Sequence, residues 1–344
     1  MTGLSHVLLF STLIATGFMS AFSPMANKEN TFDSAFSVLS EEVSVQTSSV
    51  VEEVHDVKKV IYKDFEKVKM YDKDSGRVVE MDLEDYVAGV LLAEMPTWYH
   101  EESLKAMSVA VRTYTVCKMN SSSHVSGADI CNDPSHCQAF YTLPDAVEAW
   151  SENSAVTAFE KVESAVEETK GEVAVFEGLP ILAMYHASGY LKTRSSKEVF
   201  GGELPYLQSV DIGFENEKTS TYSTKNFDKS TVAVALVSMG ALKSAKDSFD
   251  ICDVWQNGKC EGLEVVSNGE KTLVSPFDVR RTFSLKSANF KVLKNGEGYI
   301  FETYGYGHGV GMSQSGAHLM AEEGAGYEKI LSHYYSGVEI AILK

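Results

Sequence analysis

From Val7 to Phe22 the chain is apolar for sixteen residues, interrupted only by small and hydroxyl side chains. That is short for a membrane span but long enough for the apolar core of a signal segment. The first lysine is Lys28, so the usual basic start is missing, and Ser23-Pro24-Met25-Ala26 is only a fair cleavage site. Residues 1–26 therefore read as a membrane anchor or a cleaved signal, with the rest of the chain exported. Residues 27–58 are rich in Ser, Glu and Val without a sustained amphipathic period, and read as a flexible tether. Folded structure is expected over 59–344. It begins with Val60-Ile61-Tyr62 and Val68-Lys69-Met70-Tyr71, two strand-like runs separated by polar residues.

Helical spacing starts at Asp82, a residue suited to an N-cap. Tyr86, Val87, Val90, Leu91 and Met95 follow as an apolar face, and Pro96 argues that the helix has ended. A second helix is expected from about Glu101 to Met119, on Leu104, Met107, Val111 and Tyr114, with Arg112 off that stripe. Further helices are expected over about 153–169 (Gly171 near its C-cap), 231–240 and 315–323, with a short one entering His333-Tyr334-Tyr335. Val173–Phe176 and Ile181–Tyr185 read as a hairpin around Glu177-Gly178, and Asn257-Gly258 is a second hairpin turn. Cys252 and Cys260 flank that turn, where they either bridge the hairpin or stay free. Strands and helices are interspersed without regular βαβ alternation, which makes the fold class α+β: one catalytic domain of mixed helices and short strands.

At 344 residues the chain can bury a sizeable core. Its net charge is −18, which argues against phosphate-backbone binding as the main task.

Three clusters carry candidate chemistry. Glu94 sits at the last turn of the first helix, two residues before Pro96. The negative end of the helix dipole and partial burial would both hold a proton on it, as a general acid requires, although an ordinary surface glutamate fits the same segment. His124, Cys131, His136 and Cys137 fall within fourteen residues. Imidazole and thiolate together suit zinc, and four ligands fill a tetrahedral shell, so the expected role is structural. A Cys131–Cys137 disulfide with bystander histidines is the alternative. The third cluster is the glycine-rich run from Gly305 to Gly316, which lacks the ending of a nucleotide-binding P-loop. Its alternate glycines let backbone approach another surface, and His308, Ser313 and Gln314 offer groups suited to sugar hydroxyls. A tightly packed turn would show the same pattern.

Several segments in one order resemble the stage II sporulation protein D (SpoIID) family, which includes amidase-enhancer proteins. They are LLAEMP, ESLKAMSVAVRTY, CNDPSHCQAFYT, AVEETKGEV, ASGYLKTRSSKEVFGGELPYLQSV, and GYGHGVGMSQSGAHLMAEEG through ILSHYYSGVEI. The resemblance covers roughly residues 65 to 344 and is weak from about 212 to 290. It implies a peptidoglycan lytic transglycosylase that cuts between N-acetylmuramic acid and N-acetylglucosamine and leaves 1,6-anhydro ends, working in cell-wall remodelling during engulfment in sporulation. It implies Glu94 as the catalytic acid. Substrate contacts are implied for Arg112, for Tyr206 and for Tyr334 or Tyr335, beside His308 and Gln314 of the glycine-rich run. Zinc is implied at His124, Cys131, His136 and Cys137. The expected partners are glycan strands, a peptidoglycan amidase and membrane proteins of an engulfment complex, with the catalytic domain outside the membrane. A non-catalytic glycan-binding enhancer of a cell-wall amidase is the alternative. The chain departs from the family pattern at Tyr190, Phe200, Gln208 and Ser315, so its glycan preference can differ.

Overall fold

A computed structural model of the chain describes residues 59–61, 65–121, 124, 127–296 and 298–343. The expected anchor or signal (1–26) and tether (27–58) lie outside the described residues. Among the described residues no helix is long and apolar enough to cross a membrane.

Two large hydrophobic cores organise the described residues, with a small third cluster of Leu92, Ala146, Ala155 and Ala158 beside the first. In the larger, α1 (Leu83–Glu94) and α2 (Glu101–Asn120) lie at the centre. Asp82 takes the N-cap position of α1 but makes no side-chain capping bond there. His100 caps α2 instead, its Nδ1 accepting from the Glu102 amide at 3.2 Å. α2 is buried on nearly every side, because α1, the strand Glu172–Phe176 and three further helices all pack on it. Next come α3 (Leu143–Ala149), which the apolar pattern did not reveal, and α4 (Glu152–Glu168). Thr142 and Asp145 form a capping box on α3, and Pro144 enters its first turn.

The hairpin at Glu177-Gly178 is present but short. Its second strand is only Leu179–Pro180, paired with the end of Glu172–Phe176, and then the chain leaves the sheet. The rest of the expected second strand becomes irregular up to Tyr185–His186, which pairs in parallel with Met312–Ser313. On its other side Glu339–Leu343 lies antiparallel to Glu172–Phe176, and Lys59–Ile61, parallel to Glu339–Leu343, forms the sheet's far edge. After α5 (Ser196–Phe200), the chain crosses into the second core.

That core lies between two antiparallel three-stranded sheets. One is Tyr222–Asp228, Gly298–Tyr304 and Phe290–Asn295; the other is Asp250–Gln256, Lys259–Ser267 and Glu270–Val274. α6 (Lys229–Ser238) and α7 (Pro276–Thr282) cover it. Phe249, Phe283, Phe290 and Phe301 fill it, with Phe283 and Phe301 stacked at 4.7 Å. Asn257 and Gly258 both adopt positive φ, as a tight hairpin turn needs. Cys252 stands opposite Glu264, and Cys260 opposite Trp255, so the cysteines are offset along the hairpin and both are free. Arg194 ties this core to the first by donating to the Cys260 carbonyl at 2.6 Å and to Asn289 at 3.1 Å.

The glycine-rich run then lies along residues 184–194. Gly311 has φ 71°, and a Cβ there would fall 1.9 Å from the Met184 carbonyl oxygen; at Gly305 (φ 86°) it would fall 2.8 Å from that of Ser188. α8 (Gln314–Glu322) and α9 (Tyr327–Tyr334) return the chain to the first core.

Candidate active site

Glu94 ends α1, and the helix stops where Met95 turns to extended backbone before Pro96. Glu94 keeps partial solvent access as a residue, yet protein atoms crowd its carboxylate. That desolvation pushes its pKa up, against two hydrogen bonds that pull it down: one from the Ala139 amide to Oε1 at 2.9 Å, the other from the Gln314 side chain. Tyr86, Tyr185 and Tyr306 lie close enough to feel its charge.

The loop 138–141 is fitted onto α1 to deliver that amide. Phe140 lies over Gly89, where a Cβ would come within 2.2 Å of the ring, and the Tyr141 amide donates to the Gly89 carbonyl at 3.0 Å. Gln138 is buried; its Nε2 donates to the Tyr185 hydroxyl at 2.8 Å and its Oε1 accepts from Tyr86 and Thr115 at 3.3 Å. Sequence reasoning missed Gln138 and Tyr185 as neighbours of the acid. The available signal was Gln138 itself, an amide directly after His136-Cys137.

Arg112 is elsewhere. It is fully buried and grips Glu84, at the opposite end of α1, through Nε (2.9 and 3.1 Å) and Nη2 (2.6 Å), while Nη1 donates to the Glu172 carbonyl at 3.0 Å. Ten residues of helix separate Glu84 from Glu94, about 15 Å. Tyr334 and Tyr335 are equally enclosed, and the Tyr335 hydroxyl donates to the Met184 carbonyl at 2.8 Å. None of Arg112, Tyr334 and Tyr335 presents its side chain to solvent; each is enclosed within the fold. Gln314 is also buried and turned onto the acid, not outward to a sugar. Tyr206 is half-buried; its hydroxyl accepts from the Leu182 amide at 3.2 Å and its ring meets Phe176. His308 packs beside His186 and Phe200, its Nδ1 accepting from the Val310 amide at 3.0 Å. Burial pushes His308 down to about 3 and His186 to about 4, so both are neutral at pH 7.

A second carboxylate, Glu215, was not foreseen. It is fully buried, and burial raises its pKa. Its Oε1 accepts from the Gly189 amide at 2.9 Å, from Ser188 Oγ at 3.2 Å and from Ser315. Gly189 and Gly316 press against Oε2, each leaving no room for a Cβ.

His124, Cys131, His136 and Cys137 converge, with one ligand atom from each lying within 4.8 Å of the others. His136 Nδ1 is 3.3 Å from Cys131 Sγ and 3.2 Å from Cys137 Sγ. Tetrahedral bonds of about 2.0–2.3 Å would space ligand atoms by about 3.3–3.8 Å, so the donor set fits zinc in type and spacing. Both thiols are free. Hydrogen bonding from Cys137, then from both histidines, pulls the Cys131 thiol down and favours its thiolate.

A family model for SpoIID, described as "Stage II sporulation protein", matches residues 71–176. The Stage II sporulation protein D of Bacillus subtilis (strain 168) is 31% identical over 279 residues, 80% of this chain and 78% of that protein. The Stage II sporulation protein D of Bacillus amyloliquefaciens is 30% identical over 276 residues, with the same two coverages of 80% and 78%. The protein named "Amidase enhancer" of Bacillus subtilis (strain 168) is 28% identical over 307 residues, covering 73% of this chain and 40% of its own length.

Proposed function

Because the chain belongs to the stage II sporulation protein D family, we propose that it remodels the cell wall as a lytic transglycosylase of peptidoglycan, with Glu94 as its acid and base. The observation that carries this reading is a desolvated glutamate, held at the end of α1 by one backbone amide and one side-chain amide, while Arg112 is engaged at the other end of the helix. Protonated Glu94 donates to the glycosidic oxygen between N-acetylmuramic acid and N-acetylglucosamine. The carboxylate so formed takes the proton of the muramyl C6 hydroxyl, whose oxygen closes on C1. The bond from C1 to the leaving sugar breaks, a 1,6-anhydro end forms, and Glu94 is again protonated. One group acts as acid and then as base, so a raised pKa suits the task. The Val7–Phe22 run would place this chemistry outside the membrane, where a peptidoglycan amidase and membrane proteins of an engulfment complex are the natural partners.

Mass spectrometry of purified glycan strands incubated with the protein tests this reading. Wild-type protein should release anhydro ends, and Glu94→Gln should lower their yield by about 10²–10⁴-fold. Anhydro ends at the wild-type rate from Glu94→Gln would refute the assignment. The relative named as an amidase enhancer favours a second reading, a non-catalytic glycan-binding stimulator of an amidase, which intact strands would support.

The His124, Cys131, His136 and Cys137 site is proposed to hold a structural zinc ion, since four protein ligands leave no open position. Its task would be to fix the loop that runs from Cys137 to the Ala139 amide. Metal analysis of purified protein should find one zinc per chain, lost in Cys131→Ser. Zinc-free wild-type protein under reducing conditions would contradict it.

A further inference from the structure

Among the described residues Trp98 is the most exposed large apolar side chain, at 66%. An exposed tryptophan is ordinarily loose; this one is braced. Its ring stands edge-on to Tyr99 at 4.5 Å and to His318 at 5.2 Å, and those two stack on each other at 4.4 Å. His318 is held in turn, its Nδ1 accepting from the His100 amide at 3.1 Å.

Trp98 forms one wall of an open groove of about 360 Å³, within the size of small-ligand clefts. α4 supplies the opposite wall with Asn153, Ser154, Thr157 and Lys161. Lys161 is steered into place by donating to the Thr97 carbonyl at 3.3 Å. Asn153 and Thr157 make no other side-chain hydrogen bonds among the described residues. An aromatic face beside amide, hydroxyl and ammonium groups matches a sugar ring, whose C–H face is apolar and whose rim is polar.

One helix links the groove's aromatic wall to the acid. On α8, Gln314 bonds Glu94 and His318 supports Trp98; the two are four residues apart on one helix face, about 6 Å. The segment 94–98 runs beside them. Gln314 and His318 thus tie the acid and the platform to one helix.

We propose that Trp98 is the stacking platform of a further saccharide subsite, which binds an N-acetylated hexosamine of the same glycan strand beyond the pair joined at the broken bond. Asn153 and Thr157 meet its acetamido and hydroxyl groups, and Lys161 meets a carboxylate-bearing substituent. This rests on the reading of Glu94 as the acid at that bond.

The test is calorimetric titration of the full chain in detergent, in the Glu94→Gln background, with the tetramer of N-acetylglucosamine. Trp98→Ala should weaken tetramer binding about ten-fold, the scale of a lost aromatic stack, while Trp98→Tyr should stay within about threefold. Equal affinity for Trp98→Ala and its parent would overturn the subsite; if wild-type protein still makes anhydro ends, the Glu94 reading survives that failure. A parent that binds no tetramer also sinks the subsite, and without anhydro ends both readings fall. Unchanged tetramer affinity with lost stimulation of a cell-wall amidase would overturn it in favour of a protein partner.

Discussion

The two cores are built on different terms. In the first, the packed interior admits Arg112, Gln138, Glu172, His186, Glu215 and Gln314, each buried and most of them tied to backbone or to another side chain. In the second, residues 222–304, the buried polar side chains are fewer and uncharged, Ser287, Asn289 and Thr303, and Phe249, Phe283 and their neighbours fill the rest. A buried polar group costs stability unless it is satisfied, so an interior that carries several of them is organised around something other than stability. The candidate chemistry lies entirely in the first.

Truncations should sharpen this contrast. Phe301→Ala, at the centre of the aromatic core, should cost about 3–5 kcal/mol by urea unfolding and leave the pH profile of glycan cleavage where it was. Arg112→Met should cost about 3 kcal/mol, at the lower end for a broken buried pair because Glu84 is 26% exposed. Arg112→Lys should recover little of it, since a point charge cannot repeat the bonds from Nε and Nη2. A neutral Arg112→Met would remove the packing role.

The smallest effect concerns Gln314. Its hydrogen bond lowers the Glu94 pKa against a larger desolvation, so Gln314→Ala should move the alkaline limb of cleavage to higher pH. The sign carries over to stability. Glu94 is raised in the folded state, so its contribution is present below the ordinary glutamate pKa and is lost as pH climbs through the raised value. Urea midpoints of Glu94→Gln should accordingly gain on wild type over that interval. A limb that moves to lower pH in Gln314→Ala would show that Gln314 does not bond the carboxylate.

The two regions also differed in how far they could be read from residues. α1 and α4 end close to where Pro96 and Gly171 suggested, and α2 one residue beyond the expected Met119. The Cys/His cluster was visible because its members are near in sequence. The burial of Arg112 was not legible, because it depends on elements more than fifty residues away, including the Val166 and Glu172 carbonyls that accept from it. Glu215 left no local sign either; its partners Ser188, Gly189 and Ser315 come from two other segments. In the second core one helix and the Asn257-Gly258 turn were legible, but the core itself was not, because its phenylalanines are scattered from 227 to 301 and meet through strand pairing. α7, with Ser275 as cap and Pro276 in its first turn, carried a readable signature that its short length concealed.

The glycine-rich run has a consequence for how this protein can diversify. From 305 to 311 every second residue is a glycine with positive φ, and at both ends of the run a side chain would strike backbone. Only Tyr306, His308 and Val310 are open to exchange, and Val310 is locked in the core. Variation along this stretch is thereby confined to two positions, Tyr306 near the acid and His308 beside His186. Whatever new preference a descendant of this chain acquires there must be written in those two side chains, while the backbone that presents them stays the same.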